Sequence, residues 1–252
     1  MRVSVLQHDI VWEDAAATRA HLEPQVAAAA AGGARLIVLT EMFATGFSMN
    51  VERTAEPIDG PTVTWMFEQA AHHDAWIAGS LAVRDPDGGR PTNGLVLAGP
   101  DGTMHRYDKI HPFSYGGEHE RFGSGSDDVT VQLDGVRWHL SVCYDLRFAD
   151  QYWGAAPDVD AYLVVANWPT PRRAHWRALL EARAIENQAF VVASNRVGSG
   201  AGRLEYSGDS RIIDPMGEVL AGGAGVETIL TAEIDPSVVA EVRERFPFLL
   251  DR

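Results

Sequence analysis

The sequence predicts a mixed α/β fold in which two β-sheets pack together and helices cover their outer faces. Two observations lead to this prediction. Apolar strand-like segments alternate with helical segments in the first part of the chain, whereas several later strands follow one another through tight turns. A purely parallel, doubly wound sheet alternates strand and helix throughout, so this order excludes it. Since no linker, repeat or low-complexity tract interrupts the pattern, residues 1–252 are expected to form one domain.

The first part of the chain shows clear helix and strand signals. Asp14–Ala31 is Ala-rich, with Asp14 as a candidate N-cap and Gly32 as a stop signal. Arg35–Leu39 reads RLIVL, an apolar run typical of a strand that is buried on both faces. The other elements predicted here are the strand Val3–Gln7, the helix Pro61–His73 and the strand Ala75–Val83.

The second part of the chain is richer in hairpins. Asn93–Ala98 and Thr103–Asp108 are joined by the turn sequence Gly-Pro-Asp-Gly, a strong hairpin signal. His175–Asn187 is predicted to be helical because its apolar residues recur at intervals of three and four. The remaining predicted elements are the strands Val129–Leu133, Val136–Val142, Asp160–Ala166, Phe190–Ser194, Arg211–Asp214 and Thr228–Ile234, and a last helix, Pro236–Arg245.

Composition and charge exclude several classes of protein. The chain is 46% hydrophobic and 22% charged, which is ordinary for a globular protein. Its 21 Lys and Arg against 35 Asp and Glu give a net charge of −14, which repels a phosphate backbone and argues against nucleic-acid binding. No apolar run approaches the roughly 18 residues of a membrane span. Cys143 is the only cysteine, so an internal disulfide and a Cys-rich zinc site are excluded, and a cytoplasmic location is expected.

Three residues with useful chemistry come just after predicted strands. They are Glu41, Lys109 and Cys143. Loops at strand ends are where α/β folds place reactive groups, so the three side chains are expected to converge. Each also has an ordinary interpretation when taken singly: a helix cap or solvated charge for Glu41, a surface charge for Lys109 and a small buried apolar residue for Cys143.

Together the three residues are sufficient for acyl transfer from an amide without a metal. A carboxylate in a dry pocket can take the thiol proton and later deliver it to a leaving amine. An ammonium and a backbone N–H can stabilise the developing oxyanion. A Cys–His pair is the competing arrangement, but His111 and His119 lie in no recognisable context for it. The sequence contains no motif for binding a metal or a nucleotide, so no metal or cofactor is expected. The segment Glu118–Glu120 is by default interpreted as a solvated loop.

The settings of these residues resemble the nitrilase, or carbon–nitrogen hydrolase, superfamily. The motifs are LTEMFATGF around Glu41, YDKIHPF around Lys109 and VCYDLRF around Cys143. The resemblance extends over nearly the whole chain, through NWPTPRRAHWRALLEARAIENQAF to GDSRIIDPMGEVL. E-M-F-x-T-G-F and C-Y-D-L-R-F are most similar to the omega-amidase branch. The resemblance implies a four-layer α-β-β-α sandwich that forms a homodimer or a higher homo-oligomer.

The resemblance also implies roles for individual residues. Glu41 is the expected general base and acid, Lys109 the oxyanion-stabilising cation and Cys143 the nucleophile. Relatives carry a second glutamate after the lysine, and Glu118 matches that position better than Glu120 by its spacing to the following glycine. The chain departs from the family pattern after CYDLRF, where many relatives have proline and this sequence has alanine.

The implied substrate is a small amide, namely the ω-amide of a 2-oxo dicarboxylate such as 2-oxoglutaramate or 2-oxosuccinamate. Its carboxylate needs a local cation, for which Arg147 is the candidate; the competing role for Arg147 is a structural ion pair with Asp145 or Asp150. The other candidate substrate-binding residues are Tyr144, Phe43, Asn167 and Trp168, whose aromatic members are equally suited to core or dimer contacts. There are three alternatives: a different small amide as the substrate, a nitrile as the substrate, or a catalytically silent binding or regulatory role on the same scaffold.

Overall fold

Two β-sheets form the centre of the fold. A computed structural model describes residues 1–251. Its strands are β1 (Arg2–Gln7), β2 (Leu36–Val38), β3 (Trp76–Val83), β4 (Thr92–Ala98), β5 (Met104–Asp108), β6 (Thr130–Leu133), β7 (Val136–Val142), β8 (Ala161–Ala166), β9 (Phe190–Asn195), β10 (Val197–Ser199), β11 (Glu205–Ile213), β12 (Val219–Ala224) and β13 (Thr228–Glu233). Its α-helices are α1 (Ala15–Ala31), α2 (Val51–Thr54), α3 (Pro61–His73), α4 (Glu118–Arg121), α5 (Ala149–Ala155), α6 (Arg173–Asn187) and α7 (Pro236–Arg245).

Each sheet combines a parallel centre with antiparallel outer strands. The first sheet has the order β13-β1-β2-β3-β4-β5, in which β1, β2 and β3 are parallel. The second has the order β10-β11-β9-β8-β7-β6, with β12 paired to β11 and with β7, β8 and β9 parallel. Strands joined through helices are parallel and strands joined by tight turns are antiparallel, so the mixed strand order predicted from the sequence is confirmed.

The alternation of side chains along the strands builds three apolar cores between four layers. In β2, Leu36 and Val38 point into the core between the two sheets, where they join Leu140 and Val142 of the second sheet. Ile37 points the other way, into the core that α1 and α3 form with the first sheet. A third core joins α5 and α6 to the outer face of the second sheet. The fold is therefore an α-β-β-α sandwich, as expected.

Most predicted boundaries agree with the structure to within two residues. Asp14 caps α1 by accepting a hydrogen bond from the Ala17 N–H at 3.0 Å. The prediction Arg211–Asp214 was too short, because β11 runs from Glu205 to Ile213, and β10 and β12 were missed. β12 reads VLAGGA and is half-exposed, and its glycines remove the alternating pattern that marks a strand. The helix α5 begins at Ala149, so proline is not needed there to start it.

Within residues 1–251, no helix has the length and apolar character that crossing a membrane requires.

Candidate active site

The structure brings together the four residues expected to act in catalysis. Glu41 lies just beyond β2, Lys109 directly follows β5, Cys143 directly follows β7 and Glu118 opens the short helix α4. Glu41 and Lys109 therefore come from the first sheet and Cys143 from the second. The site lies where the ends of strands from the two packed sheets meet, so the rigid core between the sheets fixes the positions of all four residues.

Lys109 is a buried ammonium held between two buried carboxylates. Its Nζ donates hydrogen bonds to Glu41 Oε1 at 2.8 Å and to Glu118 Oε2 at 2.8 Å. Burial by itself would lower the pKa of Lys109, but the negative charges of Glu118 and Glu41 outweigh it, and the pKa is raised well above its ordinary value. Lys109 is therefore a permanent cation at the base of the site.

Glu118, and not Glu120, is the second carboxylate of this cluster. The Glu118 side chain is buried and accepts a hydrogen bond from the Phe113 N–H at 2.5 Å, whereas Glu120 is exposed. Burial raises the pKa of Glu118, and the neighbouring Lys109 opposes that rise. The default expectation of a solvated loop at 118–120 was therefore wrong for Glu118, because the short helix α4 turns its first residue inward.

Cys143 occupies a strained position at the end of β7. Its φ of 48° lies in the left-handed region, which is uncommon for a residue other than glycine and costs about 1–3 kcal/mol. Asp145 holds the turn, since its buried carboxylate accepts hydrogen bonds from the Val142 N–H at 2.9 Å and from the Tyr107 hydroxyl at 2.7 Å. The turn presents the half-buried thiol to a cavity instead of continuing the strand.

The Cys143 thiol is protonated in the resting site. Burial raises its pKa well above the ordinary value, the charge of Glu41 adds to the rise and the charge of Lys109 opposes it. A thiol in this state becomes a strong nucleophile only when a base removes its proton. Glu41 faces the same cavity and is the nearest candidate base.

Two asparagines that the sequence did not single out as partners of Glu41 fix its carboxylate. Asn93 Nδ2 donates to Glu41 Oε1 at 2.8 Å, and the Asn167 N–H donates to Glu41 Oε2 at 2.8 Å. Asn93 also donates to Glu118 Oε1 at 2.9 Å. Asn167 was predicted only to line the substrate pocket, and Asn93 lies at the start of β4 with no motif around it.

A cavity of about 590 Å³ opens above Cys143 and Glu41. Its walls carry aromatic rings, a thioether and two arginines, with one acidic residue besides Glu41 near the mouth. The lining residues are Trp12, Glu13, Glu41, Phe47, Ser48, Met49, Asn50, Phe113, Tyr115, Gly116, Cys143, Tyr144, Arg147, Asn167, Trp168, Pro169, Arg172, Ala201, Leu204 and Tyr206. This volume accommodates a small organic molecule.

Four of the five candidate substrate-binding residues line this cavity, and Phe43 does not. Tyr144, Arg147, Asn167 and Trp168 form part of its wall. Phe43 is fully buried in the core beneath α3, with its ring centroid 5.9 Å from that of Trp65. The expectation for Phe43 was therefore wrong.

The backbone around Met42 explains why Phe43 turns away. Met42 adopts a φ of 40°, and the Phe43 N–H then donates to the Ser80 carbonyl of β3 at 3.0 Å. The ring consequently packs over Gly79, where an added Cβ would lie 2.7 Å from the Phe43 ring. The pattern of apolar residues in the sequence does not predict this turn.

Arg147 is directed to the cavity wall and forms no ion pair with the described carboxylates, Asp145 and Asp150 included. Its guanidinium lies 4.7 Å from the centroid of the Trp168 ring, and Nη2 is 3.1 Å from His175 Nδ1. Asp145 is instead occupied by backbone N–H groups and by Tyr107. The cation is therefore available to an anionic ligand.

A second guanidinium, from Arg172, lines the same cavity and was missed by sequence reasoning. Its guanidinium carbon lies 5.3 Å from the centroid of the Phe113 ring. Arg172 ends the 3-10 turn Thr170–Arg172, in which Pro at the second position is the only local signal. The two guanidiniums thus place positive charge at the cavity of a chain whose net charge is −14.

The histidines near Lys109 do not pair with Cys143. His111 donates its backbone N–H to Asp145 Oδ1 at 3.0 Å, and its Nδ1 is 2.9 Å from the same oxygen. The His111 ring stacks on Phe148, and His119 is exposed. The geometry thus favours a carboxylate over an imidazole as the partner of the thiol.

Comparisons with known proteins identify the family of the chain. The family model "Carbon-nitrogen hydrolase" matches residues 2–244. The chain is 42% identical over 249 residues to the omega-amidase YafV of Escherichia coli K12, covering 98% of this chain and 94% of that protein. It is 39% identical over 224 residues to the 2-oxoglutaramate amidase of Bacillus subtilis, covering 86% and 85% of the two chains.

A solved structure shows the same fold. The protein XC1258 from Xanthomonas campestris, a CN-hydrolase superfamily member with an arsenic adduct in its active site, superposes with a TM-score of 0.95. It is 39% identical in sequence, and the superposition covers 100% of this chain and 97% of that one.

Proposed function

This chain belongs to the carbon–nitrogen hydrolase family, in its omega-amidase branch, and is a hydrolase acting on amides; we propose that its substrate is the ω-amide of a small 2-oxo dicarboxylate. The observation that carries the proposal is the cavity itself, which is lined by the Cys143 thiol, the Glu41 carboxylate and the Arg147 guanidinium, with the buried Lys109 ammonium bound to Glu41 behind its wall. Relatives named omega-amidase and 2-oxoglutaramate amidase support it.

The first half of the proposed reaction forms a thioester. Glu41 takes the proton of Cys143 while the sulfur bonds to the amide carbon. The developing oxyanion is stabilised by Lys109 and by the backbone N–H of Tyr144. The carbon–nitrogen bond then breaks, and the proton held by Glu41 leaves with the nitrogen as ammonia.

The second half of the reaction releases the acid. Water gives a proton to Glu41 and bonds to the thioester carbon, with Glu118 helping to position it. The carbon–sulfur bond breaks and the proton returns from Glu41 to the Cys143 sulfur. The net change is amide plus water to acid plus ammonia, and the same carboxylate serves as base and acid in both halves.

Arg147 is the proposed partner of the substrate carboxylate. Its guanidinium forms no ion pair with the described carboxylates, and stacking on Trp168 holds it against the wall. An arginine fork binds a carboxylate through two parallel hydrogen bonds and so fixes the orientation of the bound molecule. The arginine would thus direct the distant amide group to Cys143.

A substrate panel tests this proposal. Ammonia release is measured with 2-oxoglutaramate, 2-oxosuccinamate, glutamine, a simple aliphatic amide and a nitrile, with Cys143→Ala as the blank. We expect the highest kcat/KM for the two 2-oxo acid amides. Preference for the aliphatic amide or for the nitrile would favour the corresponding alternative, and no turnover of any compound would favour a binding or regulatory role.

We further propose that the protein forms a homodimer through the outer faces of α5 and α6. Trp153 and Ile185 are 46% and 54% exposed on this helical layer, and Met216, in the turn after β11, is 51% exposed. Ile185 lies against Gly217 in the same turn as Met216, and exposed apolar side chains grouped in this way are typical of protein–protein contacts. Analytical ultracentrifugation of the wild type and of Ile185→Glu tests the dimer, which is expected only for the wild type. The cytoplasmic location stays a prediction.

A further inference from the structure

Asn93 contacts three of the four residues expected to act in catalysis, although it does not line the cavity. Its side chain is 1% exposed, in the strand β4. Nδ2 donates to Glu41 Oε1 at 2.8 Å and to Glu118 Oε1 at 2.9 Å. Its backbone carbonyl accepts a hydrogen bond from the Lys109 N–H at 3.0 Å. Both amide hydrogens of one side chain are thus committed to two buried carboxylates.

The orientation of the Asn93 amide is fixed by a second chain of hydrogen bonds. Ser80 Oγ accepts a hydrogen bond from the Met42 N–H at 2.9 Å and lies 2.8 Å from Asn93 Oδ1. The hydroxyl hydrogen of Ser80 is therefore free to be donated to Oδ1. A flipped amide would lose both hydrogen bonds to the carboxylates and would turn its oxygen towards their negative charges.

The contacts of Glu41 distinguish its two oxygens. Oε1 accepts from Lys109 Nζ and from Asn93 Nδ2, both at 2.8 Å, so both of its lone pairs are used. Oε2 accepts one hydrogen bond from the described residues, from the Asn167 N–H. The open acceptor position of Glu41 is therefore on Oε2.

We propose that Asn93 is a positioning residue that saturates Glu41 Oε1 and restrains Glu118, so that Glu41 exchanges its proton with Cys143 and the leaving nitrogen through Oε2. The inference rests on the proposed role of Glu41 as base and acid. In each half-reaction the proton moves onto Oε2 and leaves from it, while Lys109 and Asn93 hold Oε1 still.

Asn93 also governs the ionisation of the carboxylate pair. Two carboxylates around a single ammonium repel each other, and hydrogen bonds from N–H groups favour their ionised forms. Removing the Asn93 amide takes one hydrogen bond from each carboxylate, so the pair is expected to hold a proton up to a higher pH. The acidic limb of the pH–rate profile should then move to higher pH.

Asn93→Ala and Asn93→Asp test the proposal, with Asn187→Ala as a matched control. Asn187 is also fully buried, but it donates to the Arg183 carbonyl inside α6, away from the cavity. We expect Asn93→Ala to lower kcat about 10- to 100-fold, as for other residues that orient reactive groups, and to move the acidic limb upward. Asn187→Ala should lower the melting temperature without either kinetic change.

The order of the two Asn93 variants separates positioning from packing. Aspartate fills the same space and keeps the acceptor for Ser80, so a purely structural role predicts that it is better tolerated than alanine. A positioning role predicts that the aspartate variant is less active than the alanine variant at neutral pH, because aspartate adds a third negative charge and donates no hydrogen bond. If Asn93→Asp does not fold, the kcat and pH profile of Asn93→Ala decide by themselves.

The proposal would be overturned if Asn93→Asp were at least as active as Asn93→Ala, or if Asn93→Ala kept the wild-type pH profile with a kcat loss no greater than that of Asn187→Ala. Any amide that the wild type hydrolyses serves for these assays. Failure of the 2-oxo acid assignment therefore appears in the substrate panel, whereas failure of the Asn93 role appears only in the variants.

Discussion

Lys109 Nζ lies 2.8 Å from Glu41 Oε1, and both side chains are almost completely buried. The contact joins the end of β5 to the end of β2, two strands of the first sheet that are separated by β3 and β4. A buried ion pair of this kind is costly to break, because each charge depends on the other for its solvation. The site is therefore part of the structural core of the protein as well as its reactive centre.

Lys109→Ala should lower both stability and activity. Removing the ammonium leaves Glu41 and Glu118 as uncompensated buried carboxylates, for which a loss of about 3–5 kcal/mol in the free energy of unfolding is expected. Urea denaturation measures this loss. Arg35→Ala, which breaks exposed ion pairs with Asp74 and Asp134, is the control and should cost about 2 kcal/mol or less. Equal losses for the two variants would contradict the proposed burial of charge.

Glu41→Gln should make the Cys143 thiolate easier to form and yet reduce turnover. Burial and the charge of Glu41 both raise the pKa of Cys143, whereas the charge of Lys109 lowers it, so glutamine removes one raising influence and keeps the lowering one. Because Cys143 is the only cysteine, thiolate absorbance in the ultraviolet follows it directly. The titration midpoint should fall in Glu41→Gln while kcat falls by about 10²- to 10⁴-fold for loss of the general base. An unchanged midpoint, or wild-type turnover, would contradict this.

Arg147→Ala should weaken binding of anionic amides selectively. A hydrogen-bonded charge pair contributes about 1.5–3 kcal/mol, so KM for 2-oxoglutaramate should rise about 10- to 150-fold. KM for a neutral aliphatic amide should stay near the wild-type value. Arg172→Ala is the matched comparison, since it removes the other guanidinium of the cavity wall. Equal effects of Arg147→Ala on anionic and neutral amides would show that Arg147 does not bind the carboxylate.

His8 makes the fold sensitive to mild acid. It is fully buried beside Thr40, and burial lowers its pKa from 6.5 to about 4. Below pH 6.5 this histidine binds a proton in the unfolded chain but not in the native state. The free energy of unfolding therefore falls as the pH drops towards 4, by about 3 kcal/mol in all. Unfolding of the wild type and of His8→Gln at several pH values tests this. The variant should lose less stability across that window, and parallel curves would show that His8 contributes nothing.

The fold was predictable because its signals are local. The apolar run at Arg35–Leu39 and the hairpin turn after Ala98 identified strands that the structure contains. The roles proposed for Glu41, Lys109 and Cys143 rest on their motifs, and the meeting of these side chains was expected from the tendency of strand ends to carry reactive groups.

The parts that escaped prediction depend on contacts between distant segments. Asn93 reaches Glu41 across 52 residues of sequence, and no pattern around it reports that contact. Phe43 was misplaced because a single left-handed residue, Met42, reverses its direction. Arg172 lies in a polar turn whose position at the cavity depends on contacts with Trp168 and Phe113.

Ammonia release from 2-oxoglutaramate by Cys143→Ala is the most direct test of covalent catalysis at this thiol. The variant should fold with nearly the stability of the wild type, since the Cys143 side chain is half-buried and faces the cavity. Its kcat/KM should fall by about 10⁴- to 10⁶-fold, as expected when an enzyme loses the nucleophile of a concerted set of residues. Activity within about tenfold of the wild type would contradict the assignment of Cys143 as the nucleophile.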